Sequence, residues 1–530
     1  MSTATATLSA ETAWKPKVNP WIIGVVVSLA AFMEVLDSSI ANVALPHIAG
    51  NLGASNDEST WVLTSYLVAN AIVLPISGFL VSLFGRKRFF MACIAFFTVS
   101  SFLCGIAPSL ALLLLFRIMQ GAFGGGLQPM AQAILADTFP PQKRGLAFAL
   151  YGVTAVCGPV LGPTLGGWIT DNYSWRWIFY INVPVGILAL ILVQLLVEDP
   201  PYLSRLKKGM AKFDYVGFSL LTVGVGALQV LLDKGQEDDW FGSNFIVTLS
   251  ILAAAGLIAL VVWEWRHKDP IVDVRLFKNF NFATSNVMFL MLGAALFSST
   301  VLMPQLLQTL MGYTAEEAGL VLSVGAVAIL FFLPMVGQLT TRVQARYLTA
   351  VGWFTLAVSM YISARQTDLL ISFGNASFLR VLQSVPLPFL FVPLTLAGYV
   401  GLPSEKTNSA AGLMNFMRNM GQSIGTSSLT TVLARRDQFH QSILADYTGS
   451  ARFQTAIQGL AGRLHTAGLG AATAQNQAFG RLYNMVQAQA AALSYVDAYW
   501  LLAVAAAIMF VGSFLLKPND PGKGGNVSMH

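Results

Sequence analysis

The sequence predicts an all-α polytopic membrane protein with fourteen transmembrane helices, arranged as two six-helix bundles with two extra helices between them. Of its 530 residues, 55% are hydrophobic and only 11% are charged, whereas about 25% of the residues in a soluble domain carry a charge. The apolar residues form runs of about 20, the length that crosses a bilayer. Lysine and arginine fall in short clusters between these runs and form no continuous basic face, so membrane lipid is the expected surrounding and nucleic acid is excluded as a partner.

The predicted spans follow from the apolar runs and the breaks between them. In chain order they are 20–44, 60–81, 89–107, 110–135, 146–169, 176–197, 214–233, 245–265, 282–307, 317–340, 347–364, 376–399, 408–433 and 497–516. The polar residues before the first run lack a short apolar core with a small-residue cleavage site, so the first run is expected to be a retained helix and not a removable signal peptide.

The basic residues also predict the orientation. With the N-terminus in the cytoplasm, the cytoplasmic segments hold 20 of the 31 lysines and arginines, as the positive-inside rule requires. An even number of spans returns the C-terminus to the same side. The predicted organisation is a cytoplasmic tail (1–19), an N-terminal six-helix bundle (20–198), a linker with two extra helices (199–281), a C-terminal bundle (282–516) with a long external loop (434–496), and a cytoplasmic tail (517–530).

A short internal repeat suggests that the two bundles are related. Gly78 follows the second span and Gly337 follows the tenth, and each is followed by a leucine two residues later and by a basic residue nine residues later. Transporters are often built from such repeats, with the substrate site between the halves near the membrane midplane.

Two acidic residues, Glu34 and Asp37, lie deep in the first span and share one helical face. A charge at this depth costs about 3 kcal/mol or more, so each carboxylate requires a function or a partner. Two buried carboxylates close together disfavour full ionisation of the pair. We interpret them as a cavity-facing site that takes up and releases protons; the alternative is a structural ion pair or polar contact with another helix.

Two arginines lie deep inside spans, Arg117 in the fourth and Arg418 in the thirteenth. A buried arginine stays protonated and requires an anion or carbonyl oxygens. If the first and fourth helices face each other, Arg117 pairs with one of the two carboxylates; the alternative is a fixed link to backbone carbonyl groups. Arg418 is a further candidate for the cavity, or else a bridge between packed helices.

The fifth span contains closely spaced glycines and prolines: Gly158, Pro159, Gly162, Pro163, Gly166 and Gly167. Glycines at four-residue spacing form a stripe that lets another helix approach closely. This stripe either serves close packing alone or forms a seam at which the two halves meet and rock.

The remaining motifs exclude some functions and leave others open. Gly85, Arg86 and Lys87 form either a positive-inside anchor or a gate that pairs with helix ends. The absence of a phosphate-binding P-loop and of a His-Glu-x-x-His motif argues against an ATP-driven pump and a metalloprotease. No cofactor or metal site is expected, since the three cysteines have no metal-ligand spacing.

The long segment 434–496 is rich in alanine and glutamine, and Phe479, Leu482, Val486 and Leu493 fall on one face of a helix. We therefore predict an external helical projection. It either packs on the outer face of the protein or provides a docking surface for a partner.

Several of these motifs resemble those of the fourteen-span drug:proton antiporters of the major facilitator superfamily. The resemblance rests on Leu36–Pro46 in the first helix, Gly78–Lys87 after the second, Arg117-Ile-Met-Gln120-Gly121 in the fourth, Gly158–Gly167 in the fifth and Trp175–Gly186 after it. It covers nearly the whole chain. It implies a major facilitator fold, a place in the bacterial inner membrane, and a proton-coupled site that includes Gln120.

Within this branch the chain looks closest to the inner-membrane pumps of tripartite efflux systems, because of Glu34 and Asp37 and the long external loop. The resemblance implies small hydrophobic or cationic drugs as substrates, protons as the coupling ion, an EmrA-like periplasmic adaptor and a TolC-like outer-membrane channel. One position departs from the family pattern: Ser82 stands where the loop after the second helix usually has an aspartate. Either Asp137, at the end of the fourth helix, then anchors the gate alone, or the gate is looser.

Three functions remain in competition at this stage. The first is a proton:drug antiporter, and the second is a transporter of a defined metabolite, such as a siderophore, on the same fold. The third is a membrane sensor or scaffold that transports nothing, but a scaffold has no need of paired acids in lipid. The fifth-helix motif and the resemblance favour the first.

Overall fold

The computed structural model describes residues 16–200, 213–519 and 521, and no β-strand occurs in them. The first part of the chain contains α1 (Pro20–Leu52), α2 (Asn56–Phe84), α3 (Arg86–Ile106), α4 (Leu110–Gly124), α5 (Leu127–Thr138), α6 (Arg144–Asn172), α7 (Trp177–Tyr180) and α8 (Asn182–Leu196). Two helices follow, α9 (Tyr215–Lys234) and α10 (Asn244–Arg266). Most of both predicted tails and part of the linker before α9 lie outside the described residues.

The last part contains α11 (Phe280–Leu310), α12 (Ala315–Leu339), α13 (Ala345–Gln366), α14 (Phe373–Ser384), α15 (Pro386–Tyr399), α16 (Thr407–Asp446), α17 (Ala451–Thr466) and α18 (Ala471–Gly512). Three of the predicted spans are each formed by two helices, namely α4 with α5, α7 with α8, and α14 with α15. The break in the first of these falls at Gly125 and Gly126, and the break in the third falls just before Pro386, because proline cannot donate a helical hydrogen bond.

Among the described residues, fourteen helical stretches match the fourteen predicted spans. Thirteen of them, within the described ranges, are long and apolar enough to cross a membrane. The fourteenth is α16, which is less apolar because it carries polar residues into the interior: Asn415 is 2% exposed and Arg418 is 6% exposed. A helix whose polar side chains face protein and not lipid can cross the bilayer without being apolar overall.

The same helix pairs recur in the two parts of the chain. In the first part α1 packs along α6, α2 along α4 and α3 along α8, while in the last part α11 packs along α16, α12 along α14 and α13 along α18. The two parts meet where α6 contacts α12 and where α2 and α5 contact α16. The extra helices α9 and α10 pack on each other, and α9 also packs on α2.

The end of the bundle at which α1 begins is tightly closed, and we call it the closed end. A Cβ atom added to Gly78 at the end of α2 would lie 2.6 Å from the Cα of Ser409 in α16. Gly337, at the end of α12 in the second half, contacts Gly145 of α6 in the first half. A Cβ atom added to Gly145 would lie 2.7 Å from the Gly337 carbonyl oxygen. These distances leave no room for side chains, so the two halves touch here through their backbones.

The opposite end, which we call the open end, carries a helical projection. Helix α16 has 40 residues and α18 has 42, so each is about 60 Å long, about twice the thickness of the hydrocarbon core. Segment 434–496 therefore continues both spans as helix, with α17 packed on α18. On the predicted face, Leu482, Val486 and Leu493 are half-buried beside the buried Ala474 and Ala478, whereas Phe479 is 57% exposed.

Candidate functional site

Asp37 forms a fully buried ion pair with Arg117. The Nη1 atom of Arg117 lies 2.7 Å from Oδ2 of Asp37, and both side chains are 0% exposed. Gln120 and Asn182 donate side-chain hydrogen bonds to Oδ1 at 2.8 and 2.6 Å. Arg117 also donates from Nε to the Val62 carbonyl oxygen at 3.1 Å. The guanidinium therefore has both of the partners that the sequence left open, a carboxylate and a backbone carbonyl.

Glu34 lies one turn before Asp37 but has a different environment. Its Oε1 accepts hydrogen bonds from Tyr66 Oη and Asn70 Nδ2, both at 3.0 Å, and its Oε2 accepts one from Gln128 Nε2 at 2.5 Å. All three donors are neutral, and no cation forms an ion pair with Glu34 among the described residues. Protonation of Glu34 would therefore leave no directly paired cation behind, whereas protonation of Asp37 would isolate Arg117.

Gln128 joins Glu34 to the second half of the protein. Its Oε1 accepts hydrogen bonds from Tyr151 Oη at 3.2 Å and from Nη2 of Arg418 in α16. A second bond between α16 and α5 runs from Asn415 Nδ2 to Gln132 Oε1 at 2.6 Å. One amide group thus separates the carboxylate of Glu34 in the first half from the guanidinium of Arg418 in the second.

Tyr66 connects the two acids through its ring and its hydroxyl. The guanidinium carbon of Arg117 lies 4.2 Å from the centroid of the Tyr66 ring, within the range of a cation–π contact, while the hydroxyl donates to Glu34. The polar groups therefore form a continuous chain from Asp37 to Arg418 across the centre of the bundle. Two buried nitrogens of this chain, Nη2 of Arg117 and Nε of Arg418, have no hydrogen-bond partner among the described residues, so the network is only partly satisfied and does not by itself fix one arrangement.

A chamber of about 120 Å³ lies beside this chain, and we call it the inner chamber. Its polar lining includes Glu34, Arg117, Gln128 and Arg418, and its apolar lining includes Leu63, Leu67, Leu387 and Phe391. Asp37 does not line it. An apolar wall with a few placed polar groups is the lining that amphipathic ligands use, but a pocket for a drug-sized compound has about 300 Å³ or more, so the inner chamber holds such a compound only together with adjoining space.

The glycine stripe of α6 packs against α1 and not against the second half. A Cβ atom on Gly158 would lie 3.3 Å from the backbone nitrogen of Leu36, and one on Gly162 would lie 2.6 Å from the Cβ of Ser39. The contact between the halves instead includes Gly145 and Gly152. A Cβ atom added to Gly152 would lie 2.9 Å from a methyl group of Leu333 in α12. The stripe therefore fixes the helix that carries both acids.

The prolines of α6 contribute to the same contact. Pro163 has no backbone N–H, so the carbonyl of Pro159 loses its helical partner. The hydroxyl of Ser39 in α1 donates to that carbonyl at 3.2 Å. The two remaining glycines of the motif differ: an added Cβ on Gly166 would lie 3.0 Å from the Ile40 carbonyl oxygen, whereas the nearest atom to one on Gly167 lies 3.9 Å away.

The basic segment after α2 is held within the first half. Arg86 Nη2 lies 2.6 Å from Asp137 Oδ2, and the two side chains are 2% and 5% exposed. Lys87 donates from its backbone to Asp199 and from Nζ to the Gln194 carbonyl, both at 2.7 Å. Ser82, at the position of the usual aspartate, only donates back to the Phe79 carbonyl within its own helix.

Gly85 forms the turn between α2 and α3, and its φ of 84° is one that residues with a side chain rarely adopt. The turn aims Arg86 at Asp137. At this end the second half is contacted by Gly78 and Gly145, whereas the ion pair of Arg86 stays within the first half.

The sequence analysis missed several members of the polar chain. Tyr66, Asn70 and Gln128 lie in apolar or mixed runs, and single neutral polar residues in a span give no signal of their partners. Arg380 was also not chosen, although it is 1% exposed in α14. A repeat could have indicated it, because Arg380 and Gln383 in α14 have the same spacing as Arg117 and Gln120 in α4.

Comparison with known proteins agrees with this architecture. A family model described as Major Facilitator Superfamily matches residues 27–426. Among solved structures, the proton:xylose symporter XylE matches with a TM-score of 0.60 and 13% identity, covering 96% of this chain and 97% of that one. At this identity the likeness concerns the fold alone.

Curated relatives are similar over most of their length. The chain is 37% identical to the multidrug export protein EmrB of Haemophilus influenzae, covering 94% of this chain and 96% of that protein. It is 35% identical to EmrB of Escherichia coli, covering 96% and 98%. It is 41% identical to the fatty acid resistance protein FarB of Neisseria gonorrhoeae, covering 79% and 82%.

Proposed function

The chain belongs to the Major Facilitator Superfamily, and from this premise we propose that it is a proton-driven antiporter that exports toxic amphipathic compounds. Relatives named for multidrug export and for fatty acid resistance support an amphipathic substrate. The mixed lining of the inner chamber supports the same class of compound.

The observation that carries the proposal is the position of Glu34. This carboxylate lines the inner chamber, is bound only by neutral donors among the described residues, and is linked through Gln128 to Arg418 in the second half. A proton and a substrate that compete for one carboxylate give obligatory exchange, because binding of one requires release of the other. Loss of the negative charge also weakens the bond with Gln128 and hence the link between the halves.

In this mechanism Asp37 is a fixed member of the site. It does not line the chamber, and its carboxylate is held by Arg117, Gln120 and Asn182. Removing one member of a buried ion pair costs about 3–5 kcal/mol, which opposes a protonation cycle at Asp37. We propose that the pair orients Tyr66 beneath Glu34 and that Glu34 exchanges the proton.

In this proposal the described conformation is one of the two end states of an alternating-access cycle. The halves touch at the closed end, while the chambers lie toward the open end. We assign the closed end to the cytoplasm, because the clusters of basic residues lie at that end. In this state a proton reaches Glu34 from outside and displaces the exported compound, and the substrate site faces the cytoplasm after the halves rock.

We further propose that the projection docks a periplasmic adaptor, which leads to an outer-membrane channel. Helices α16 and α18 extend well past the hydrocarbon core. Large apolar side chains are exposed on these helices or just after them, among them Phe439, Tyr447, Phe479 and Tyr483. Exposed apolar patches of this kind are typical of interaction sites.

The test is transport by purified protein in liposomes with an imposed pH gradient. Proton movement down its gradient should drive an amphipathic dye in the opposite direction, and Glu34→Gln should abolish this coupling. The Asp171→Asn variant serves as the control, because Asp171 is an exposed carboxylate at the end of α6. If wild-type protein moves no dye under any gradient, the antiport proposal fails.

A further inference from the structure

We propose that the protein has a second, outer binding site for lipophilic cations, located between α2, α9 and α16 on the exit side of the inner chamber. This inference rests on the proposed export function and assigns cationic compounds a separate site on the exit side. It also gives one of the two extra helices a role in the transport path.

The proposed site is a chamber of about 350 Å³, which we call the outer chamber. It is continuous with the inner chamber, since both are lined by Asn42, Leu63, Leu67, Asn70, Asn419 and Gln422. The outer chamber therefore offers a compound that leaves Glu34 a path toward the open end. Helix α9 supplies one wall, with Gln229, Leu232, Asp233, Gln236 and Glu237.

The charges of the two chambers differ. The inner chamber contains one carboxylate and two arginines, whereas the outer chamber is lined by two carboxylates, Asp233 and Glu237, and by no lysine or arginine. Lys234 compensates Glu237, because its Nζ lies 2.6 Å from Glu237 Oε2. Asp233 remains as the negative charge that faces the outer chamber.

The carboxylate of Asp233 is positioned by a neutral partner. The hydroxyl of Thr64 in α2 donates to its Oδ2, and no described residue donates a hydrogen bond to Oδ1. A carboxylate held at one oxygen and open at the other offers an acceptor and a charge to a cation.

Neutral polar groups share the wall of the outer chamber with Asp233. Gln236, Asn419 and Gln422 line it, and their side-chain amides offer both donors and acceptors to a bound compound. Apolar side chains of Leu63, Leu67, Leu232 and Met420 cover the rest of the wall, as the body of a lipophilic cation requires.

Helix α9 is held in place by bonds to both halves. Gln229 Nε2 donates to Ser423 Oγ of α16 at 2.9 Å, and Trp240, just after α9, donates to Thr431 Oγ1 of α16 at 3.0 Å. Thr64 ties the same helix to α2. Asp233 is therefore fixed at the gap between the halves, on the route outward.

The test compares two ions of the same shape and opposite charge, tetraphenylphosphonium and tetraphenylborate, in binding to the purified full-length protein by equilibrium dialysis. Asp233→Asn should weaken tetraphenylphosphonium binding by about fivefold, the size expected for a partly solvated ion pair. Binding of tetraphenylborate should not weaken. Asp233→Glu should restore cation binding, and high salt should reduce the difference between wild type and Asp233→Asn.

The matched control is Asp238→Asn, which removes the same charge from an exposed residue of the same turn that does not line the outer chamber. Equal cation binding by wild type and Asp233→Asn, or an equal loss in the Asp238→Asn control, would overturn the proposal. Equal weakening of both ions by Asp233→Asn would also overturn it, because that result indicates a structural role. Proton-coupled export that persists in any of these cases would show that the outer site has failed and the antiport function has not.

Discussion

Glu34 and Asp37 show how two identical functional groups three residues apart acquire different chemistry. Both lie on one side of α1, but Asp37 meets a guanidinium with no exposure to the chamber, and Glu34 meets neutral donors at its wall. A carboxylate with a fixed cation has little freedom to change its proton, while one with only neutral donors can exchange it. The proposed division of roles follows from these neighbours.

The buried pair of Asp37 and Arg117 can be tested by a double-mutant cycle. Asp37→Asn and Arg117→Gln should each lower the free energy of unfolding by about 3 kcal/mol, because each leaves the other group buried without its partner. The double variant should lose less than the sum of the two. Thermal unfolding in detergent measures all four proteins, and additive losses would show that no coupled pair exists.

The sequence predicted some of this site and not the rest, for physical reasons. A charge inside an apolar run is costly wherever it points, so Glu34, Asp37, Arg117 and Arg418 were identifiable. Which of the two acids forms the ion pair with Arg117 depends on how α1 is rotated relative to α4. That rotation is set by packing contacts far along the chain. Gln128 could not be identified, because burying a neutral amide in a span costs much less free energy than burying a charge and so does not indicate a partner.

Among the helices, α1 and α6 form the contact that positions both acids. Two glycines of α6, Gly162 and Gly167, differ in how much room they leave between α6 and α1. Gly162→Ala should destabilise the protein by about 1–3 kcal/mol, because the new methyl group meets Ser39. Gly167→Ala is the matched control, since the nearest atom lies 3.9 Å away. Comparable unfolding temperatures for the two variants would contradict this account of the stripe.

The projection of α16, α17 and α18 gives a second prediction. Replacing residues 447–470 by a short Gly-Ser linker removes α17 and keeps the ion pair of Arg436 with Asp497, which joins the long helices at 2.5 Å. Export in liposomes should persist, whereas drug resistance of cells should fall, because the adaptor surface is incomplete. Equal loss in both assays would instead assign α17 a role in folding.

The boundaries of these long helices could not be predicted from hydropathy. The sequence placed breaks at 433 and 497, where the apolar runs end, yet α16 and α18 continue as helix into water. Alanine and glutamine favour helix without being apolar. The apolar run that indicates a membrane span therefore ends at a different residue from the composition that favours a helix.

In the whole molecule, we propose that the two backbone contacts at the closed end determine which side is open. A side chain at Gly337 would separate α12 from α6, so Gly337→Leu should shift the population toward the opposite state. The readout is labelling of a Ser38→Cys variant, whose position lines the inner chamber, by a membrane-impermeant maleimide applied from the open end. Labelling should become slower than in Gly50→Leu, where no atom lies within 4 Å of an added Cβ; an unchanged rate would remove Gly337 from the closing contact.

The central claim is that one carboxylate, Glu34, exchanges a proton for a drug. The most direct test is proton release from purified protein in weakly buffered detergent on addition of an amphipathic drug. Wild type should release protons, Asp37→Asn should still release them if it folds, and Glu34→Gln should release none while remaining folded. Undiminished release from Glu34→Gln would contradict the account, as would loss of release confined to a folded Asp37→Asn protein.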